Sequence, residues 1–458
     1  MAFLTAGHPQ SLKARVLRAG SWTLFGYGAA LVMRLFGNLI MARLLAPDAF
    51  GLMAIATTIN VLVGLFSDLG IRQSIIQSSR GQNAVFLNTA WTVQVLRGLW
   101  IWIACMAVAV GLYVARLMEL LPADSVYSNP LLPAIIAVGS FSSVILGLHS
   151  MKLHSLSRSL DLSRITLIEL IQMVVSYAVA IGFGWLTHSV WSFIINGLVG
   201  SVVYTVLTHV WLTGRRDRFC WNRDALTEIL RFGRWVFISS IIGVLAMNGD
   251  RLMLGAWITA TALGFYSIAS GLSSMVDGIA GRFFSNVSLP ALGEIARERP
   301  QLFSTRYLQM RWGADAIYVA AAGFLFATGG KIVSILYDPR YLPAGEMLQI
   351  LSFSLLFSRF ALAQNAYVAL GKPNYIAALN AVRVVSLFTL VPLMYYFFDV
   401  KGALIGLATY LAPTLPLIFW FNRKHGLNNL VVEIGSLAIW PCGWLAGQLF
   451  LTLLSIVR

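Results

Sequence analysis

Apolar blocks of about 20–25 residues, separated by short polar joints, run through the whole sequence, and that is the helical length needed to cross a ~30 Å hydrocarbon core. The blocks fall near 21–44, 51–71, 84–113, 131–149, 165–184, 190–212, 234–257, 262–281, 313–336, 346–369, 375–398 and 402–421, with a last one over 431–457. That last block is interrupted at Trp440-Pro441-Cys442-Gly443 and is too short for two crossings, so it reads as one span. The expectation is an all-α polytopic membrane protein of twelve or thirteen transmembrane helices. Composition agrees: 58% of residues are hydrophobic and 11% charged, against roughly 25% charged in a soluble domain. With a mean hydropathy of +0.77, a water-soluble fold of this length would lack the polar surface to cover itself.

The net charge of +15 would suggest nucleic acid in a soluble protein. Here it is better explained by basic residues flanking spans on the cytoplasmic side, and no nucleic-acid partner is expected. With the N-terminus inside, 22 of the 33 Lys and Arg residues fall on cytoplasmic segments, while the opposite joints and ends hold only Arg43, Arg116, Arg340, Lys401 and Arg458. The N-terminus is therefore expected to be cytoplasmic. Residues 1-20 carry Lys13, Arg15 and Arg18 but neither an apolar core nor a small-residue cleavage site, so they do not read as a secretory signal peptide. Cys105, Cys220 and Cys442 stand far apart and indicate neither a disulfide framework nor a metal cluster.

The outer joints are too short to hold a folded domain. Of the two longest inner segments, 213-233 is basic, while Leu292 to Arg299 reads as an amphipathic stretch lying on the membrane surface. A repeat is visible. Asn38 to Arg43, Phe50-Gly51-Leu52 and Asp68 to Arg72 match Asn248 to Arg251, Leu263-Gly264-Phe265 and Asp277 to Arg282, with Arg43 to Asp68 spanning 25 positions and Arg251 to Asp277 spanning 26. Six spans per unit would keep both halves in one orientation, related by a pseudo-two-fold axis along the membrane normal. The expected organisation is a cytoplasmic segment 1-20, an N-lobe 21-212, a basic linker 213-233, a C-lobe 234-421 and an extra helix within 422-458.

Arginine at mid-bilayer costs about 2.5–3.5 kcal/mol on insertion scales. Arg34, Arg97, Arg251, Arg359 and Arg383 lie well inside spans, on the order of 12–17 kcal/mol that lipid-facing positions could not absorb. The pairs Arg34/Asn38, Gln94/Arg97, Asn248/Arg251 and Asn380/Arg383 are three or four residues apart, which sets each guanidinium and its amide on one helix face. Guanidinium suits bidentate binding of phosphate, and amides suit hydroxyl-rich sugars. Two readings stand side by side: a cationic cavity for an anionic substrate, or structural pairing with buried carboxylates. Glu169, with Gln172 on its helix face, reads either as a proton or sodium coupling site or as a salt-bridge partner of one of these arginines. Gly329-Gly330-Lys331-Ile332 lacks the leading glycine and the Ser or Thr of a phosphate loop, and no cofactor is implied.

The stretch Ala42-Arg43-Leu-Leu-Ala-Pro-Asp-Ala-Phe-Gly51-Leu52, followed by Asp68-Leu-Gly-Ile-Arg72-Gln-Ser-Ile-Ile-Gln77, resembles the start of bacterial polysaccharide transporters. These are the lipid-linked oligosaccharide flippases of the multidrug/oligosaccharidyl-lipid/polysaccharide exporter superfamily. Asp250-Arg251-Leu-Met-Leu-Gly255 with Leu263-Gly-Phe-Tyr266 resembles that family's second-half signature, and Ala369-Leu-Gly-Lys372-Pro373 its late loop. The resemblance implies two six-helix lobes around a central cavity in the bacterial inner membrane. It implies a polyprenyl-pyrophosphate-linked oligosaccharide as substrate, turned from the inner to the outer leaflet for exopolysaccharide, capsule or O-antigen synthesis. Membrane lipid, a polysaccharide polymerase and export proteins are the partners it brings with it. The pyrophosphate would sit among the five arginines, and no covalent bond would be made or broken. Two rivals remain. An ion-coupled drug or cation exporter would favour acids over arginines in the first lobe, and a membrane polymerase or ligase would favour a large outer loop, with an acyltransferase as a further enzyme reading.

Overall fold

A hydrocarbon solvent leaves backbone N–H and C=O groups no partner except each other. The computed structural model, which describes residues 12–65, 67, 70–78, 80–158 and 162–456, accordingly forms α-helices joined by short turns, with no strand among the described residues. The main helices are α1 (Leu12–Leu44), α2 (Pro47–Leu65), α3 (Ala84–Leu117), α4 (Leu132–Gly139 continued by Ser142–Gly147), α5 (Ser163–Thr187) and α6 (Trp191–Val210). They continue as α7 (Arg223–Trp257), α8 (Ala260–Glu298), α9 (Phe303–Leu336), α10 (a broken run, Pro343–Ala369), α11 (Pro373–Thr409), α12 (Leu415–Lys424) and α13 (Leu430–Gly435 continued to Ile456). Among the described residues, nine helical stretches are long and apolar enough to cross a bilayer. One of these, Pro373–Lys424, covers two expected spans, and its long helix turns at Phe398 and Asp399, where Asp399 takes the left-handed region at φ 52°. The closing block is a single candidate span, Val431–Ile456.

Helix starts are capped by side chains that accept from first-turn amides: Asn83 from Val85 N, Thr259 from Ala262 N, and Asn429 from Val431 N and Val432 N. Two segments read from the sequence as inner differ from expectation. The second half of the basic linker is already helical, since α7 begins at Arg223. The Leu292–Arg299 stretch is not a separate helix. It continues α8 through Pro290, and Leu292 is fully buried with Phe303, Tyr307, Tyr367 and Phe421. Its apolar face is covered by the chain itself.

The chain divides into two compact units. The first holds residues up to Leu45, Ile59–Leu120 and Pro130–Ile241; the second holds Ala46–Thr58, Leu121–Asn129 and Ile242 onward. In each, helices approach through glycines that face the partner helix's carbonyl oxygens. In the first unit a Cβ on Gly98 would meet Ser143 O at 2.5 Å, and one on Gly147 would meet Gln94 O at 3.2 Å. In the second, Gly323 faces Trp440 O while Gly443 faces Ala320 O, and Gly51 faces Ala260 O while Gly264 faces Pro47 O. Every pair is reciprocal, each glycine set on the turn preceding the other. Such contacts drive association in lipid, where apolar side chains gain nothing by leaving the solvent.

The second unit also buries a charge network. Arg311 Nε lies 2.7 Å from Asp315 Oδ1, Arg311 Nη2 lies 3.1 Å from Glu433 Oε2, and Arg359 Nη1 lies 3.1 Å from Asp315 Oδ2. Arg359 Nη1 also donates to Ser436 Oγ at 2.6 Å, and both guanidinium groups rest on the Phe360 ring. Two cations and two anions cancel, and the arrangement ties α13 to α9 and α10. Asp315→Ala should strand both arginines and cost about 3–5 kcal/mol, read as a lower Tm of the detergent-solubilised protein. Asp315→Leu combined with Arg311→Met should lose less than the sum of the single changes; additive losses would show that the pair is not coupled.

Candidate functional site

Five polar residues of α8 recur on one helix face: Tyr266, Ser270, Ser273, Ser274 and Asp277. They line a cavity of about 490 Å³ within the second unit, with Asp250 and Arg251 from α7, Ser354, Ser358 and Gln364 from α10, Asn380 and Arg383 from α11, and Tyr410 and Thr414 just beyond it. The Tyr266 hydroxyl donates to the Asp250 carboxylate. Arg383 Nη2 donates to Tyr410 Oη at 2.8 Å, and Ser386 Oγ fixes that turn by donating to Tyr410 O at 2.6 Å. The Tyr318 hydroxyl donates to Asp277 O at 3.5 Å.

Three buried atoms of charged cavity residues have no hydrogen-bond partner among the described residues: Asp250 Oδ1, Arg251 Nε and Arg383 Nε. The hydroxyl, amide and charged side chains of the lining suit the cavity to a polar occupant. Arg251 and Arg383 are matched by Asp250 and Asp277. The lining is therefore formally neutral and dense in hydroxyl, amide and charged groups. Chemically this suits a ligand that both donates and accepts hydrogen bonds, more than a bare anion.

The sequence-predicted residues separate into groups. Arg251, Asn380 and Arg383, from two distant segments, meet in the cavity. Arg359 sits one residue from the lining Ser358 and Phe360 but is turned into the charge network. Gln94 Nε2 donates to Gly147 O at 2.9 Å and His149 O at 3.2 Å, closing the end of α4, and Arg97 donates to Ser67 Oγ at 3.2 Å and Gly64 O at 2.8 Å, closing the end of α2. Arg34 is exposed on α1 with Asn38 half-buried one turn on; Asn248 is half-buried on α7, and Glu169 is exposed near the start of α5. Asp68, one anchor of the repeat, lies outside the described residues. The sequence reading overlooked Tyr266, Tyr410, Gln364 and the serines. The signal for the α8 set was present, because Tyr266, Ser270, Ser273 and Asp277 recur at steps of four, three and four in an otherwise apolar span.

Roles in stability should separate from roles in the cavity. Arg97→Ala removes two hydrogen bonds from a cation to the end of α2 and should cost about 1–3 kcal/mol, lowering Tm clearly. Arg251→Gln, which removes a side chain whose Nε is unpartnered, should leave Tm close to that of the parent. Equal losses in thermal unfolding of the two purified variants would refute the division.

A family model described as polysaccharide biosynthesis protein matches residues 40–346. The lipopolysaccharide biosynthesis protein WzxC of Escherichia coli (strain K12) is 23% identical over 345 residues, covering 74% of this chain and 67% of that one. A putative O-antigen transporter of Shigella flexneri is 20% identical over 428 residues, covering 89% and 98%. Among solved structures, the lipid II flippase MurJ in an inward closed conformation superposes with a TM-score of 0.69 at 12% identity, over 96% of this chain and 100% of that one.

Proposed function

This chain belongs to the polysaccharide biosynthesis protein family, and we propose that it is a flippase that turns a polyprenyl-pyrophosphate-linked oligosaccharide repeat unit from the inner to the outer leaflet of a bacterial inner membrane. The product would feed exopolysaccharide, capsule or O-antigen assembly. The observation that carries the reading is the cavity of the second unit, where unpaired polar atoms of Asp250, Arg251 and Arg383 stand among serines, amides and tyrosines inside a membrane-spanning fold. A saccharide crossing hydrocarbon must keep its hydroxyls hydrogen-bonded, and these groups supply donors and acceptors in place of water. The prenyl tail needs no such shelter and stays in lipid. The Escherichia coli and Shigella flexneri relatives, named as a lipopolysaccharide biosynthesis protein and a putative O-antigen transporter, fit the same cargo class.

The topology we propose has a cytoplasmic N-terminus and twelve spans in two six-helix lobes, 21-212 and 234-421, related by a pseudo-two-fold axis. Basic residues concentrated on alternate joints support the orientation. Two features support the symmetry: the fourth and tenth helices are both broken, and Gly51 and Gly264, matched positions of the sequence repeat, face each other's preceding turn reciprocally. Alternating access would separate the starts of α2 and α8 in each cycle. Arg34 on α1 is a further cation we assign to the substrate's phosphates, and an ion gradient would act through Glu169.

In a strain lacking the chromosomal copy, Arg383→Ala, Arg251→Ala and Arg34→Ala should each fail to restore surface polysaccharide while reaching normal membrane levels. Mass spectrometry should then find lipid-linked repeat units accumulating. Full complementation by both cavity variants would overturn the site. Gly51→Val and Gly264→Val, which wedge the close contact open, should likewise abolish transport at unchanged membrane level; active variants would show that this contact need not close.

A further inference from the structure

The first unit carries a basic strap that the transport reading does not use. Helix α6 ends at Val210, and the chain then runs without regular structure to Arg223. It is not slack. Lys152 Nζ donates to His209 O and Leu212 O, both at 3.0 Å; Arg218 N donates to Asn88 Oδ1 at 3.2 Å; and Cys220 N donates to Thr92 Oγ1 at 3.0 Å. Phe219 packs on Trp91 with ring centroids 4.7 Å apart, and the buried Ala225 and Ile229 dock the first turns of α7.

The strap sorts its charges. In Arg215-Arg216-Asp217-Arg218 the acid turns inward: Asp217 accepts from Ser150 Oγ at 2.5 Å and from Met151 N at 3.3 Å, and its side chain is 5% exposed. All three arginines turn outward, exposed, and no ion pair engages them among the described residues. Beside them Phe219 and Trp221 are 69% and 57% exposed. The row of exposed guanidinium groups with aromatic rings alongside begins within a few residues of the end of an apolar helix long enough to cross a bilayer, which is where a headgroup layer would meet it. Guanidinium takes phosphate in two-pronged hydrogen bonds, and tryptophan favours the same interfacial layer.

We propose that this strap is a binding site for anionic phospholipid headgroups, Arg215, Arg216 and Arg218 holding the phosphate while Phe219 and Trp221 lie in the adjoining acyl boundary. A soluble anion would leave the two rings uncovered, which is why the lipid is favoured over free phosphate. The assignment holds whatever cargo the protein carries.

The test uses the full chain in neutral detergent, titrated with phosphatidylglycerol, phosphatidylcholine or inorganic phosphate, and read by Tm and by native mass spectrometry of retained lipid. Phosphatidylglycerol should raise Tm and remain bound, and the other two should not. The R215Q/R216Q/R218Q variant should keep the parent Tm in phosphatidylcholine and retain phosphatidylglycerol about tenfold less well or worse. Trp221→Ser, which leaves the charges in place, should lose part of the effect and covers the case in which the triple variant does not fold. Undiminished phosphatidylglycerol binding in both variants would overturn the proposal, as would equal stabilisation by inorganic phosphate, which would mark a soluble-anion site.

Discussion

Helices dissolved in hydrocarbon gain little by hiding apolar side chains from one another, so their association rests on how closely two backbones can approach. The reciprocal glycine crossings meet that condition. At Gly98 with Gly147, Gly323 with Gly443 and Gly51 with Gly264, the missing side chain admits the carbonyl of the opposing helix. One of these crossings, Gly51 with Gly264, holds α8, whose polar face lines the cavity of the second unit.

That framework lets identical chemistry serve opposite ends. Arg311 and Arg359 are matched by Asp315 and Glu433 at hydrogen-bonding distance, and Arg359 is further held by Ser436. Arg251 and Arg383, in the same unit, keep a buried Nε without a partner and face open volume beside Asp250 and Asp277. Charge paired across helices braces them; the charges of Asp250, Arg251, Asp277 and Arg383 line open volume instead. The hydroxyl-rich face of α8 adds hydrogen-bonding capacity without net charge, which is what a sugar headgroup asks of its surroundings.

Much of the fold was readable because its causes are local. Block length and hydropathy placed the helices, and the run at 373–424 resolved into two expected spans because Asp399 could take a left-handed turn. Arg251, Asn380 and Arg383 could be nominated from their cost in lipid, and they do meet. Gln94 and Arg97 obey the same three-residue spacing, yet they close the ends of α4 and α2. The amphipathic pattern of Leu292 to Arg299 resembles a membrane-surface helix, whereas Leu292 is covered by Phe303 and Tyr307.

By itself the sequence determined the solvent of this protein, its all-helical build, and which charged residues needed an explanation, because those follow from composition and from a rise of 1.5 Å per residue. Only the tertiary structure decided which arginines join the buried charge network and which line the cavity, and that the acid of the basic strap turns inward. Those outcomes depend on partners more than a hundred residues away in the case of Arg311 with Glu433, and on helix rotations fixed by glycine contacts that no local periodicity encodes.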